Sequence, residues 1–232
     1  MMIDNVYQTV KTIVNKELSG NLTPTELNKL AKLVQDEIFS SYFEDINLLK
    51  VKQSKGYTGL NHANLPQKVR QKIDIFSAVA TITDNAGIYT LPADLYFVED
   101  RGIVYGNNVV VDEAQKSELS FLNSSIAAPS TTFPVYERLG NDIKIYPSTI
   151  VDPITVRYIR RPVDPKWTYT EVFNKELFNP SAVDYQDFEV HVSEFDNIVL
   201  KMLSYAGINL REGEVALYAE NKMNQENIKQ GK

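Results

Sequence analysis

The chain has 232 residues, 43% of them hydrophobic and 23% charged, which is enough to bury one sizeable core or two small ones and excludes a largely disordered polypeptide. A formal charge of −6 argues against a protein that grips nucleic acid, because affinity for phosphate comes mainly from clustered Lys and Arg. Cysteine is absent, and with it disulfides, thiolate nucleophiles and thiolate metal sites.

The first residues, Met1-Met2-Ile3-Asp4-Asn5, lack the basic and apolar regions of a signal peptide, so no export signal is expected. Ile3, Val6, Tyr7, Val10, Ile13 and Val14 recur at helical spacing, and Ser19-Gly20-Asn21 ends that pattern. A second helix opens with Thr23 and Glu26 as a capping box, Pro24 at the first helical position and Leu22 stapling onto Leu27. Its stripe runs through Leu27, Leu30, Ala31, Val34, Ile38, Tyr42 and Ile46. After a polar stretch from Lys52 to Leu65, a short third helix is expected, with Lys68, Arg70 and Lys72 opposite Val69, Ile73 and Phe76. The longest largely apolar run, Ile75 to Ile82, is far short of the ~20 residues that span a bilayer.

The period then changes. Ile88 to Leu91, Tyr96 to Tyr105 and Val109 to Val111 are rich in β-branched and aromatic residues, and Gly106-Asn107-Asn108 separates the last two as a hairpin turn. Glu113 to Leu122 reads as helical. A second hairpin joins Val135–Leu139 to Ile143–Tyr146 across Gly140-Asn141-Asp142, and Ile154 to Ile159 alternates as a strand. Pro162 to Asp184 has no clear period and reads as a long ordered loop. A short strand is expected at Phe188 to Val192. A helix follows, with Ser193 as N-cap and Gly207 as its stop, and a last helix from Glu212 to about Ile228. These elements predict an α+β fold: a discontinuous helical bundle of residues 1–80 and 190–232, with an inserted antiparallel β-rich domain, residues 81–189, that carries the loop 162–184.

Signals of chemistry are sparse. His62 and His191 stand apart with no second His or Cys at ligand spacing, so each reads as a surface or capping residue before a ligand. No glycine precedes Lys-Ser or Lys-Thr in a phosphate loop, and no cofactor is expected. Glu99-Asp100 and Asp112-Glu113 are acidic pairs at strand ends, where a solvated turn competes with a magnesium-dependent nuclease site.

The basic and aromatic residues around Pro162 are more informative. Arg157, Tyr158, Arg160 and Arg161 end one strand, and Trp167, Tyr169, Phe173 and Phe178 follow in the irregular segment. Charge at that strand protects a sheet edge in one reading. In the other these residues form a subunit contact, since Arg, Trp and Tyr are enriched at the energetic centres of interfaces. A loop folded back on its own domain would bury the same rings.

Tyr89-Thr90-Leu91-Pro92-Ala93-Asp94-Leu95, Phe133-Pro134-Val135-Tyr136, Ile145-Tyr146-Pro147 and Arg157-Tyr158-Ile159-Arg160-Arg161-Pro162, with Leu203 to Ile208 and Ala216 to Ala219, together resemble the ring and adaptor proteins of tailed-phage necks. The likeness spans roughly residues 85 to 225. It is closest to ring proteins of crAss-like phages, and more distant from the tail tubular and head-completion adaptors of short-tailed phages. The resemblance implies a virion protein without enzymatic activity, made in the host cytoplasm and assembling, commonly in twelve copies, into a ring below the portal. Its partners would be its own copies, the portal protein, adjacent ring or tail proteins, and viral DNA that passes without specific binding; no membrane is involved. A C-terminal segment would reach the portal, which points to Tyr218, Asn221, Lys222, Asn224 and Gln225. Two rival readings are a phage-encoded hydrolase or nuclease using the acidic pairs with His191, and a peripheral receptor-binding virion domain.

Overall fold

The computed structural model describes residues 1–18, 22–54, 65–106, 108–122, 128–173, 175–209 and 222. It is a mixed α+β protein, as expected, with two compact units: Met1–Ile75 together with Pro162–Lys232, and Phe76–Arg161.

In the first unit, α1 (Met2–Leu18) and α2 (Pro24–Ser54) follow their apolar stripes. Ile3, Val6, Tyr7, Val10 and Val14 are buried on α1, and Leu27, Leu30, Ala31, Val34, Ile38 and Tyr42 on α2. The capping box forms: the Thr23 amide donates to Glu26 Oε2 at 3.0 Å and the Glu26 amide to Thr23 Oγ1 at 3.4 Å. Two bonds donated to that carboxylate, from the Thr23 amide first and from the Thr23 hydroxyl at 2.7 Å, hold the Glu26 carboxyl below the usual range. Helix α3 (Leu65–Asp74) packs on α2. Helix α5 (Phe195–Asn209) packs on α1 and α2, burying Ile198, Met202 and Ala206; α4 (Lys116–Leu122) lies in the other unit.

Three expectations about this end of the chain are corrected. The predicted cap Ser193 lies inside a 3₁₀ turn, Val192–Glu194, and His191 caps it instead, its Nδ1 accepting from the Ser193 amide at 3.2 Å. The helix then runs through Gly207 to Asn209. No strand forms at Phe188 to Val192. Side chains take the backbone bonds a neighbouring strand would have made: Gln35, 1% exposed, donates to the Val163 carbonyl at 2.7 Å and accepts from the Glu189 amide at 2.9 Å. Glu189 Oε2 accepts from the Val163 amide at 2.8 Å.

The second unit has two four-stranded sheets. One runs in the order β1 (Ser77–Ile82), β8 (Ile154–Arg160), β3 (Leu95–Tyr105), β4 (Val109–Val110). The other runs β2 (Tyr89–Thr90), β7 (Asp142–Tyr146), β6 (Val135–Leu139), β5 (Asp112–Glu113). The chain passes between sheets at Val111: β4 pairs antiparallel with β3, and β5 pairs parallel with β6. Both predicted hairpins are present. Their shared core includes Tyr89, Leu91, Ile103, Tyr136, Ile143, Ile154, Val156 and Tyr158.

Strand β3 is continuous in the sequence pattern but carries a bulge. Val98 pairs with Tyr158 and Ile103 with Val156, so Glu99, Asp100, Arg101 and Gly102 face Arg157 alone. Arg101 takes a left-handed φ of 53° there, and a Cβ on Gly102 would stand 2.5 Å from the Arg157 carbonyl oxygen. The segment Pro162 to Asp184, expected with the β-rich domain, belongs to the helical unit, where it forms the hairpin β9 (Tyr169–Val172) and β10 (Lys175–Phe178).

Candidate assembly surface

Trp167 decides where the Pro162 to Asp184 segment goes. Its indole is 1% exposed and stacks on Tyr7 of α1 at 4.0 Å between centroids, and its Nε1 donates to Asp4 Oδ1 at 3.0 Å. Asn28 of α2 brackets its backbone, accepting from the Trp167 amide at 2.8 Å and donating to its carbonyl at 3.1 Å. Trp167 is therefore an internal anchor, which corrects its assignment to a subunit contact: its backbone N–H, its carbonyl and its indole N–H are all bonded within the chain, and the residue is buried there. Tyr169 and Phe178 stack against the same indole at 5.7 and 5.9 Å.

Beyond that anchor the hairpin projects. Glu176 accepts from the Tyr7 hydroxyl at 3.1 Å and lies 3.5 Å from Lys11, which also donates to the Tyr7 hydroxyl. That bond to Tyr7 is the main reason the Lys11 ammonium is held above its usual pKa, while burial raises that of Tyr7. The opposite face carries Val172 and Leu177, both exposed. At the tip Phe173 is 96% exposed with φ at 50°, a left-handed conformation that suits Gly or Asn and not an aromatic.

The hydrogen-bond phase of the hairpin is set by the Asn179 amide donating to the Thr168 carbonyl at 2.9 Å. In antiparallel pairing alternate residue pairs exchange these bonds. Thr170 with Leu177 and Val172 with Lys175 therefore bond inward. Tyr169 and Glu171 direct their amides and carbonyls away from β10.

In the second unit, Arg157 is exposed and is the cross-strand partner of Val79. Tyr158 is buried in the core, its hydroxyl donating to Asp94 Oδ1 at 3.1 Å, and burial raises its pKa. That removes Tyr158 from the expected contact set, since alternation turns it to the face opposite Arg157. Arg160 is half-buried and bonds the Arg161 carbonyl, while the Arg161 side chain is exposed. The predicted contact residues thus divide between the two units.

Beside Arg157 lies a feature the sequence pattern hid. Strand β1 ends its sheet, and it contains no charged residue and no proline. The Arg160 amide donates to the Phe76 carbonyl at 2.9 Å, so the alternate pairs through Ala78, Ala80 and Ile82 bond to β8. Ser77, Val79 and Thr81 then turn their amides and carbonyls to the open edge, and Val79 is 66% exposed. Such an edge invites another strand, and proteins usually blunt it with Lys, Pro or a bulge.

Of the predicted portal residues, Lys222 is exposed, and Tyr218, Asn221, Asn224 and Gln225 lie outside the described residues, as do His62 and, apart from Lys222, the expected last helix. The two acidic pairs meet: Glu99, Asp100, Asp112 and Glu113 line one cleft of about 450 Å³ with Arg101, Arg138 and Tyr136. The Tyr136 hydroxyl donates to Glu113 Oε2 at 3.2 Å, and burial together with that carboxylate pushes its pKa up to about 12. Among the described residues no three Asp, Glu or His side chains come together as a metal site, and no helix is long and apolar enough to cross a membrane. No protein-family model matches the sequence, and no curated protein matches it.

Proposed function

We propose that this chain is a structural subunit of a bacteriophage neck, assembling with its own copies into a ring that joins portal to tail around the DNA channel. The observation that carries the reading is Phe173, a large apolar side chain that is 96% exposed on a left-handed backbone at the tip of a hairpin. A non-glycine residue in that conformation costs about 1–2 kcal/mol, and within its own chain the ring buries almost nothing in return. Contact with another chain supplies the missing compensation. The anchoring of the hairpin on Trp167 supports the same reading, because a docking element held on a rigid base loses little entropy on binding.

In this reading helices from both ends of the chain form a discontinuous bundle, and the β-rich unit is its insertion. Twelve copies pack head to tail, an arrangement that uses a different surface on each side of every subunit. The C-terminal segment around Tyr218 to Gln225 meets the portal. A net charge of −6 suits a channel through which DNA slides without adhering.

Particle images of the purified protein and of virions, classified for rotational symmetry, test the proposal. A closed ring that mass spectrometry of purified virions assigns to this chain is the expected result. Absence of the chain from purified virions overturns it.

A further inference from the structure

Resting on the reading that copies of this chain assemble, we propose that the open edge of β1 is completed by β9 of the next copy. The added strand runs antiparallel, with Val79 opposite Glu171, Thr81 opposite Tyr169, and Phe173 at the Ser77 end.

Among the described residues, each chain carries two sheet edges, those of β1 and β9, that have no strand partner and match in phase. Ser77, Val79 and Thr81 present backbone donors and acceptors at alternate positions on one, and Tyr169 and Glu171 do so on the other. Neither edge has a proline, and β1 has no charge to repel a newcomer. A hairpin of two strands is marginal by itself, and joining a larger sheet removes that weakness. The result is a six-stranded sheet shared by two chains, in which the backbone supplies affinity and the side chains supply register.

Charge selects the partner strand and its register. Directly paired residues share a face, so Arg157, Val79 and the incoming Glu171 fall in one row. Arg157 and Glu171 are then two strand spacings apart, about 10 Å, a gap that extended Arg and Glu side chains close over the small Val79. Glu171 needs such a neighbour. In its own hairpin it faces Glu176, a like charge already matched by Lys11, and among the described residues Glu171 makes no ion pair. Arg157 likewise is exposed and makes no side-chain ion pair among the described residues. Pairing β1 with the β1 of another copy offers no such match, since it brings two Arg157 rows together.

The donor strand and the acceptor edge are different surfaces, so each copy offers one and receives on the other. That is the heterologous contact a ring requires, and it closes only if the rotation per copy divides a full turn.

The absence of native cysteine makes cross-linking a clean test. Residues in a bonded antiparallel pair have Cα atoms about 5.5 Å apart, within disulfide range. Full-length Val79→Cys and Glu171→Cys are purified separately, mixed under assembly conditions and oxidised. A covalent dimer whose linked peptide joins positions 79 and 171 is expected from the mixture, and a ladder of higher oligomers from the double variant. Rings that form without the 79–171 link overturn the strand addition and leave the ring reading standing. The link in open filaments or dimers, without rings, upholds the strand addition and counts against the ring. Dimers from Val79→Cys alone show β1 meeting β1 and overturn the proposal. As a second variant, Val79→Pro removes an amide that points away from β8, so it should melt with the wild type while losing the link partner's affinity at least tenfold. Unchanged affinity of Val79→Pro also overturns the proposal.

Discussion

The side-chain amide of Asn28 brackets the backbone of Trp167, accepting from its N–H at 2.8 Å and donating to its C=O at 3.1 Å. The arrangement imitates what a neighbouring strand does for a residue in a sheet, and it lets an irregular segment pass through the interior of the helical unit with its polar groups satisfied. With Tyr7 stacked on the ring and Asp4 on the indole nitrogen, helices α1 and α2 both hold one residue of the Pro162 to Asp184 segment.

Removing either half of that clamp should destabilise the helical unit. Asn28→Ala leaves a buried donor and acceptor unpaired and is expected to cost about 1–3 kcal/mol. Trp167→Ala opens a large cavity and is expected to cost about 3–5 kcal/mol. Denaturant unfolding followed by circular dichroism measures both. Trp167 is the sole tryptophan, so its emission in the Asn28→Ala variant also reports whether water reaches the ring.

What the sequence displayed of this arrangement was uneven, for physical reasons. The stripes of α1 and α2, the Thr23 and Glu26 capping box and the two Gly-Asn hairpins are local patterns, and each is present. Strand β1 was missed because its inward residues Ala78 and Ala80 are too small to mark an alternation. The expected strand at Phe188 to Val192 failed because the bonds that fix it come from Gln35, far away in the chain. The same is true of Trp167: residue type pointed to an interface, and only the long-range partners Asn28, Asp4 and Tyr7 turned it inward. Arg157 was legible as an exposed charge beside a sheet edge, although the unprotected edge proved to be β1 and not its own strand.

The bulge in β3 makes Gly102 irreplaceable. Its backbone passes so close to β8 that a Cβ would stand 2.5 Å from the Arg157 carbonyl oxygen and 2.7 Å from that of Glu99. Neither neighbour is a flexible side chain, so Gly102→Ala has to displace a strand. A loss of about 1–3 kcal/mol is expected, the usual range for forced overpacking. Thermal melting should place the loss in the β-rich unit, with Trp167 emission unchanged below the transition.

The helix α2 cap should be visible in the pH dependence of stability. Bonds from Thr23 lower the Glu26 pKa, so the unfolded chain binds the proton more tightly than the folded one. The stabilisation is present above the ordinary glutamate pKa and fades as pH falls through the lowered folded value. Glu26→Gln should therefore be less stable than wild type near neutrality, and the two should converge in acid. A gap that stays constant to low pH would mean that the charge of Glu26 contributes nothing to the cap.

Phe173 separates the needs of the fold from those of assembly. Its φ of 50° suits glycine, and its ring is almost wholly in solvent, so Phe173→Gly should leave the isolated chain as stable as wild type or up to about 1 kcal/mol more stable. Gains of that kind are offset by the larger conformational entropy that glycine brings to the unfolded chain. Assembly should respond in the opposite direction, because the substitution deletes the most exposed aromatic on the projecting hairpin. Sedimentation across a concentration series reads both effects in one preparation: a folded species of unchanged sedimentation coefficient when dilute, and a loss of large oligomers at concentrations where the wild type assembles. A destabilised dilute monomer would instead assign the ring of Phe173 a role inside its own chain.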